Sequence, residues 1–519
     1  MTQALDALRK RLAQVQDLHA VILGLDWDHQ VVMPPRGGRA RAEALATLQT
    51  ILHERFADDE TGRLLEAAEA EVAGAGEDGG AGEDAESRDA ALLRVARHDW
   101  EKARRVPGEL KAEIARVGAI SYEAWTRARA DSDWDAFRPH LARMLDLKRR
   151  YVECFDAACA YDVLLDDYEE GMTTAEVASV FGELKAGLLG LLDEIRARSG
   201  AANASLLRGE FPLPAQEALA RRVVERLGFD PEGWRLDTTV HPFATHLGVG
   251  DVRITTRYDP TDFVLSLFSA MHETGHGLYE DGSDPALGRT PLAGGVSLGL
   301  HESQSRLWEN IVGRSRAFST WVLPLIREAF PGQLDELDVE TYYRAINAVE
   351  PSLIRVEADE VTYSLHVILR FELEQEMIEG RVALADMPEA WNAKMAEYLG
   401  VEVPRDAEGV LQDVHWSQGA IGYFPTYALG NVMSAQIWRA ARTELPGVEE
   451  GFSRGEFAPL RAWLTERLYR WGRTNTPMET LARAAGGPLD ARPYLGYLRE
   501  KMGSIYGLDE AAATAPHEA

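Results

Sequence analysis

Cysteine is almost absent from this 519-residue chain: there are two, Cys154 and Cys159. A framework of disulfides is thereby excluded. Five positions apart on one predicted helix, the two thiols fall on different faces, where a bridge is geometrically poor, so they read as packing residues in a reducing compartment. No run of 18 apolar residues exists, which excludes a membrane-spanning helix. The N-terminus, Met1-Thr2-Gln3-Ala4-Leu5-Asp6, starts an amphipathic helix and lacks the apolar core of a secretory leader, so a cytoplasmic location is expected. Basic residues are also short, 55 against 84 acidic ones, for a net charge of −29. That balance argues against nucleic acid or an anionic membrane as a partner. Low complexity is confined to residues 73–87, rich in glycine, alanine and acid, which read as an exposed connection between two helices. Residues 509–519 read as a frayed tail. With no convincing linker elsewhere, residues 1–519 are expected to form one domain of two lobes around a cleft.

Against this background one pattern stands out, His272-Glu273-Thr274-Gly275-His276. Histidines four positions apart on a helix lie one above the other, so both imidazoles can reach one metal ion, and zinc suits such a pair. Glu273, one step round, can act on water at that metal without being a ligand. By chance the pattern arises in roughly a few per cent of chains with this many histidines. Its surroundings reduce that fraction. Asp259-Pro260-Thr261-Asp262 offers a helix start, and Phe263, Val264, Leu267, Phe268, Met271 and Leu278 form an apolar stripe that carries the histidines inward. Buried imidazoles beside a carboxylate need partners, and a metal satisfies all three.

A catalytic zinc usually takes a third protein ligand. A metzincin would place glycine at 279 and histidine at 282; the chain has Tyr279 and Gly282, which excludes that class. Residues 281–295 read as a glycine- and proline-rich loop, after which helical periodicity resumes through Leu300, Leu307, Trp308 and Ile311. A returning helix can therefore present Glu302, 26 residues after His276, as the third ligand. The alternative for Glu302 is a solvated helix charge. Adjacent His301 points about 100° away round the helix and cannot easily share the same focus.

Helical periodicity dominates, including segments 90–117, 134–161, 263–279, 296–313, 351–380 and 457–473. Strand signals are confined to 235–240 and 252–258, which together suit a short hairpin-like sheet just before the histidine helix. The expected fold is mainly α, with a small antiparallel sheet next to the active-site helix. In Asp251-Val252-Arg253-Ile254-Thr255 the strand period sets Arg253 on a face away from Val252 and Ile254, open to a substrate. Arg355 and Asp359 fall one helical turn apart and equally suit a surface ion pair. A guanidinium grips a planar carboxylate such as a peptide C-terminus with two prongs, as lysine cannot. His415, Tyr423 and Tyr427 are neutral donors suited to the oxygen of a carbonyl under attack, or else aromatic packing residues.

In order along the chain stand His241-Pro242-Phe243, D-x-R-x-T at 251–255, H-E-x-x-H at 272–276, H-E-S-Q at 301–304, I-R-x-x-A-D at 354–359 and G-x-x-Q-D-x-H-W at 409–416. With these motifs the chain resembles the thermostable zinc carboxypeptidases of the Taq type, and the likeness extends to Leu25-Asp26-Trp27-Asp28. The resemblance implies a helical two-lobed cleft, commonly a homodimer, releasing single residues from free peptide C-termini. It implies one zinc ion per chain, with cobalt as a substitute, on His272, His276 and Glu302, with Glu273 as general acid/base. Arg253 and Arg355 would hold the substrate carboxylate, and His415, Tyr423 and Tyr427 form one group of oxyanion candidates. Two alternatives stay open: an oligopeptidase or dipeptidyl carboxypeptidase on the same site, and an inactive peptide-binding protein, against which the presence of Glu273 counts.

Overall fold

The computed structural model of the chain describes residues 3–75, 83–198 and 200–508. Residues 509–519, read above as a tail, lie outside them. So does the centre of the acidic, glycine-rich stretch, while its flanks continue the helices Asp59–Ala75 and Glu83–Arg105.

Helices make up most of the described chain, and two larger hydrophobic cores and a small one around Val106, Leu110 and Met144 hold them. The largest gathers apolar side chains from Trp125 to Tyr506 around the histidine helix. The second joins Leu5, Leu8 and Leu12 of the first helix (Gln3–Val31) to Leu65, Leu92 and Val95, and takes in Leu287 and Leu292 from the loop after the histidine helix. The expected helix 90–117 is two helices, parted where Pro107, which cannot donate to the preceding turn, caps Gly108–Asp131. The expected 134–161 ends at Val152, so Cys154 and Cys159 do not share a helix, and both thiols are free.

The sheet lies beside the histidine helix as expected, but it is mixed. β1 (Trp234–Thr238), β2 (Ala244–Gly248) and β3 (Asp251–Thr256) run in the order β1-β3-β2. β1 and β3 are parallel, and the hairpin is formed instead by β2 and β3. Its tight turn uses Gly250 at φ +79°, a conformation that costs glycine little. β2 was illegible in the sequence because both its faces are half-buried, leaving no alternation to read. As the central strand, β3 buries Val252 and Ile254 on one side and leads through a turn into the histidine helix.

That helix, Phe263–Asp281, starts at Asp262, whose carboxylate accepts from Leu265 N. Phe263, Leu267, Phe268, Ala270 and Met271 are buried. Two other helices meet behind its histidines. Leu298–Arg306, extended by a π-helical turn over Leu307–Val312, carries Glu302, and Pro425–Glu444 packs along its far side. Both contacts are closed by glycine. A Cβ on Gly275 would sit 2.5 Å from the Gln304 carbonyl oxygen, and one on Gly430 would sit 2.5 Å from Glu302 Cγ. Neither neighbour is the free end of a flexible side chain, so the helices would have to part.

Gly275→Ala is therefore expected to cost on the order of 1–3 kcal/mol by overpacking, against the small gain in helix propensity that alanine brings elsewhere. Chemical denaturation of the variant should show the loss, and unchanged stability would mean that the two helices are not held at this separation.

Candidate functional site

His272 Nε2 and His276 Nε2 lie 3.5 and 3.4 Å from Glu302 Oε2, and the three donors form the one potential metal cluster among the described residues. Donors about 2.0–2.1 Å from a tetrahedral zinc stand about 3.3 Å from one another, and the two sides that meet at Glu302 are close to that spacing.

The partners of each donor explain its aim. Arg306 Nε donates to Glu302 Oε1 (2.7 Å) and Ser305 Oγ to Oε2 (2.9 Å), turning Oε2 between the histidines. His272 Nδ1 donates to Glu309 Oε2 (2.8 Å), a residue in the π-helical turn that also takes Arg306 Nη1 at 3.3 Å. His301 lies outside the three-donor set, in keeping with the rotation read from sequence, yet it governs that set. Its Nε2 stands 2.5 Å from Glu280 Oε1, which can only accept, so the proton is on Nε2 and Nδ1 is an acceptor. His276 Nδ1, 2.5 Å from His301 Nδ1, must then be the donor, which leaves the His276 Nε2 lone pair facing Glu302. Glu280 also meets His246 of β2 at 3.0 Å, so the sheet steadies the relay.

Burial dominates the electrostatics. Glu273 is 6 % exposed, and desolvation raises its carboxyl to about 7. Burial pushes the Glu302 pKa upward too, but Arg306 and the two histidines overcome it and hold the carboxylate ionised. Burial also opposes protonation of His272, yet Glu302, Glu309 and Glu273 outweigh it and raise that imidazole to about 9.

A second group lies on the segment 409–427 and the loop before the helix Tyr363–Ile378. The expected helix 351–380 starts only at Tyr363, because Asp359 turns back to accept from the Val361 and Thr362 amides and from Thr362 Oγ1. Arg355 is thus not paired with Asp359 on a surface. It is buried, and donates through Nε (3.2 Å) and Nη2 (2.9 Å) to Asp413 Oδ1 and through Nη1 to the Tyr363 hydroxyl (3.0 Å). The Arg306 guanidinium lies 4.2 Å over the ring of Tyr363, so this tyrosine joins the two groups. His415 Nε2 and Tyr427 Oη are 3.1 Å apart, and Tyr423 packs edge-on against Tyr427 and Tyr168. Burial first, then Arg355 and Arg370, drive His415 down to about 3 and keep it neutral. The segment is pinned by buried Glu374, which accepts from Trp416 Nε1 (2.9 Å), Tyr161 Oη (2.7 Å) and Gly422 N (3.0 Å).

Arg253 makes its contacts elsewhere. It forms a two-pronged pair with Asp251 on its own strand, both contacts at 2.9 Å, and lies 4.4 Å over the ring of Trp27 from the first helix. Thr255 accepts from Phe243 N (2.8 Å) and donates to Phe243 O (3.0 Å), which ties His241-Pro242-Phe243 to the same strand.

A family model described as the carboxypeptidase Taq (M32) metallopeptidases matches residues 7–502. The chain belongs to this family. It is therefore a metallocarboxypeptidase. Thermostable carboxypeptidase 1 of Thermus thermophilus is 41 % identical over 493 residues, 93 % of this chain and 94 % of that protein. Carboxypeptidase 1 of Bacillus subtilis is 36 % identical over 500 residues, covering 96 % and 97 %. The crystal structure of the M32 carboxypeptidase from Deinococcus radiodurans R1 superposes with a TM-score of 0.92 at 42 % identity, over 98 % of this chain and all of that one.

Sequence reasoning passed over Arg306, Glu309, Glu280, Tyr363, Glu374 and Arg370. A spacing of three or four from a motif residue marks Arg306 and Glu280; nothing local marks Glu374 or Arg370.

Replacing Glu309 or Glu280 by alanine leaves all three donors in place but frees an imidazole to rotate or to change tautomer. Each change is expected to weaken metal binding by about 10- to 100-fold. Competition with a chelator measures this, and unaltered affinity in both variants would separate the relay from the metal.

Proposed function

We propose that the chain is a zinc-dependent carboxypeptidase that releases single amino acids from the free C-termini of peptides, with His272, His276 and Glu302 as the ligands. The observation that carries this reading is Arg355: a buried guanidinium, anchored on one edge, beside the tyrosines and joined through Tyr363 to the three-donor group. Zinc, when bound, supplies Lewis acidity and lowers the pKa of water at the site, and cobalt is the substitute we expect to serve.

Glu273 takes the proton of the attacking water and returns it to the leaving amine. Tyr423, Tyr427 and neutral His415 are the hydroxyl and imidazole donors for the developing oxyanion. Arg253 and Arg355 receive the terminal carboxylate, each already oriented by an aspartate. A chain that continued past the scissile bond by more than one residue would leave that positive charge without a partner, which is why a single residue is released. We further propose a cytoplasmic homodimer, with a mass in solution near twice 57.4 kDa; light scattering that gives one chain at micromolar concentration would contradict it.

Amidating a substrate's C-terminus removes the charge and leaves the scissile bond unchanged. The loss of one desolvated, charge-assisted pairing is expected to cost roughly 2–5 kcal/mol, about 30-fold to several thousand-fold in kcat/KM. Equal cleavage of acid and amide, or larger fragments appearing before single residues, would move the assignment to an oligopeptidase. Glu273→Gln is expected to keep fold and metal while kcat falls by several orders of magnitude. Near-normal turnover in that variant would remove Glu273 from the mechanism.

A further inference from the structure

Asp413 holds two arginines. Its Oδ1 takes Arg355, and its Oδ2 takes Arg370 Nε at 2.7 Å, with Arg370 Nη2 at 2.6 Å. Arg370 is wholly buried on the helix Tyr363–Ile378, donates through Nη1 to the His366 carbonyl (2.6 Å) and lies 4.5 Å over the ring of Trp391. It is closed off from any peptide in the cleft. If Asp413 served only to orient Arg355, one carboxylate on one guanidinium would suffice, and the resulting neutral pair would attract an anion poorly. The second arginine changes the count. Two guanidinium charges and one carboxylate leave one positive charge in surroundings that hold little water. Of the other groups facing them, His366 and His415 are buried and driven neutral, Tyr363 accepts from Arg355, and Glu374, which lies on the Arg370 side with its carboxyl raised to about 7 by burial, gives its oxygens to Tyr161, Trp416 and Gly422. Of the five N–H groups of Arg355, Asp413 takes two and Tyr363 one. One remains on each terminal nitrogen, the two donors that a carboxylate requires.

We propose that Arg370 is a positioning residue that sets the charge of the terminal-carboxylate site: it neutralises Asp413 from the buried side, so that Arg355 is held by that aspartate yet presents an undiminished positive charge to the substrate. This rests on the reading of Arg355 as the group that receives the carboxylate.

The readout is the ratio of kcat/KM for a peptide acid to that for its amide, measured with metal content in the zinc-loaded full chain. Arg370→Met makes the cluster neutral and is expected to lower the ratio by on the order of tenfold or more. Adding Asp413→Asn restores the single positive charge, keeps an oxygen for Arg355 and buries no unpaired carboxylate; the double variant is expected to return to within about threefold of the wild type. A merely structural Arg370 predicts no such rescue. An undiminished ratio in folded Arg370→Met, or a double variant no better than the single, overturns the proposal. Should Arg370→Met fail to fold, Asp413→Asn alone, with two positive charges, is compared with the double variant, with one. A higher ratio in the former supports the proposal, and equal ratios overturn it. A wild type with no preference for the acid sinks the Arg355 reading itself, whereas a wild-type preference that survives every charge change sinks only the role of Arg370.

Discussion

The site depends on how closely three helices approach one another. Gly275 sits between the two histidines of its own helix and opens the face on which the backbone of Gln304 and Ser305 rests; Gly430, on the third helix, leaves room for the stem of Glu302. Glu302 is thus gripped from both sides, and its carboxylate has no slack. The 3.4 and 3.5 Å separations from the two imidazoles are the result. Close-packed interiors transmit displacement, so any parting of these helices moves the donors. The same helices bring Arg306 and Glu309 on the turns after Glu302, so the donor and its orienting groups share one rigid element.

Charge is arranged on the same plan at both centres. Around the three donors, Arg306 lies between Glu302 and Glu309, and Glu280 reaches His276 through His301. Around Arg355, Asp413 lies between two arginines. In each case a buried charge shared between two opposite charges holds a side chain in place. Burying a lone charge would be far more costly than burying such a set.

The local part of this design was legible in the sequence. His272, Glu273 and His276 follow from helical spacing alone, and Glu302 from a glycine-rich loop followed by renewed periodicity. What could not be read is set by contacts far apart in the chain. Arg355 and Asp359 looked like neighbours on a helix; Asp359 instead closes the turn before the next helix, and the partner of Arg355 stands 58 positions further on. Segments 235–240 and 252–258 were legible as strands, but their parallel pairing was not, since the antiparallel strand β2 has no alternation and the order of strands is a tertiary choice. Rotation round the helix sets His301 apart from the three donors, yet its contact with His276 needs the loop that brings the helices together. Arg370 sits in an apolar helix and carries no motif.

The central claim is that close helix packing holds His272 Nε2, His276 Nε2 and Glu302 Oε2 ready for one ion, with His301 kept outside as an orienting group. Anomalous diffraction at the zinc edge from crystals of the zinc-loaded protein tests it most directly. The account predicts one peak per chain, about 2.0–2.2 Å from those three atoms and bonded to neither nitrogen of His301. A peak that includes His301 as a ligand, or one lying away from Glu302, would contradict it.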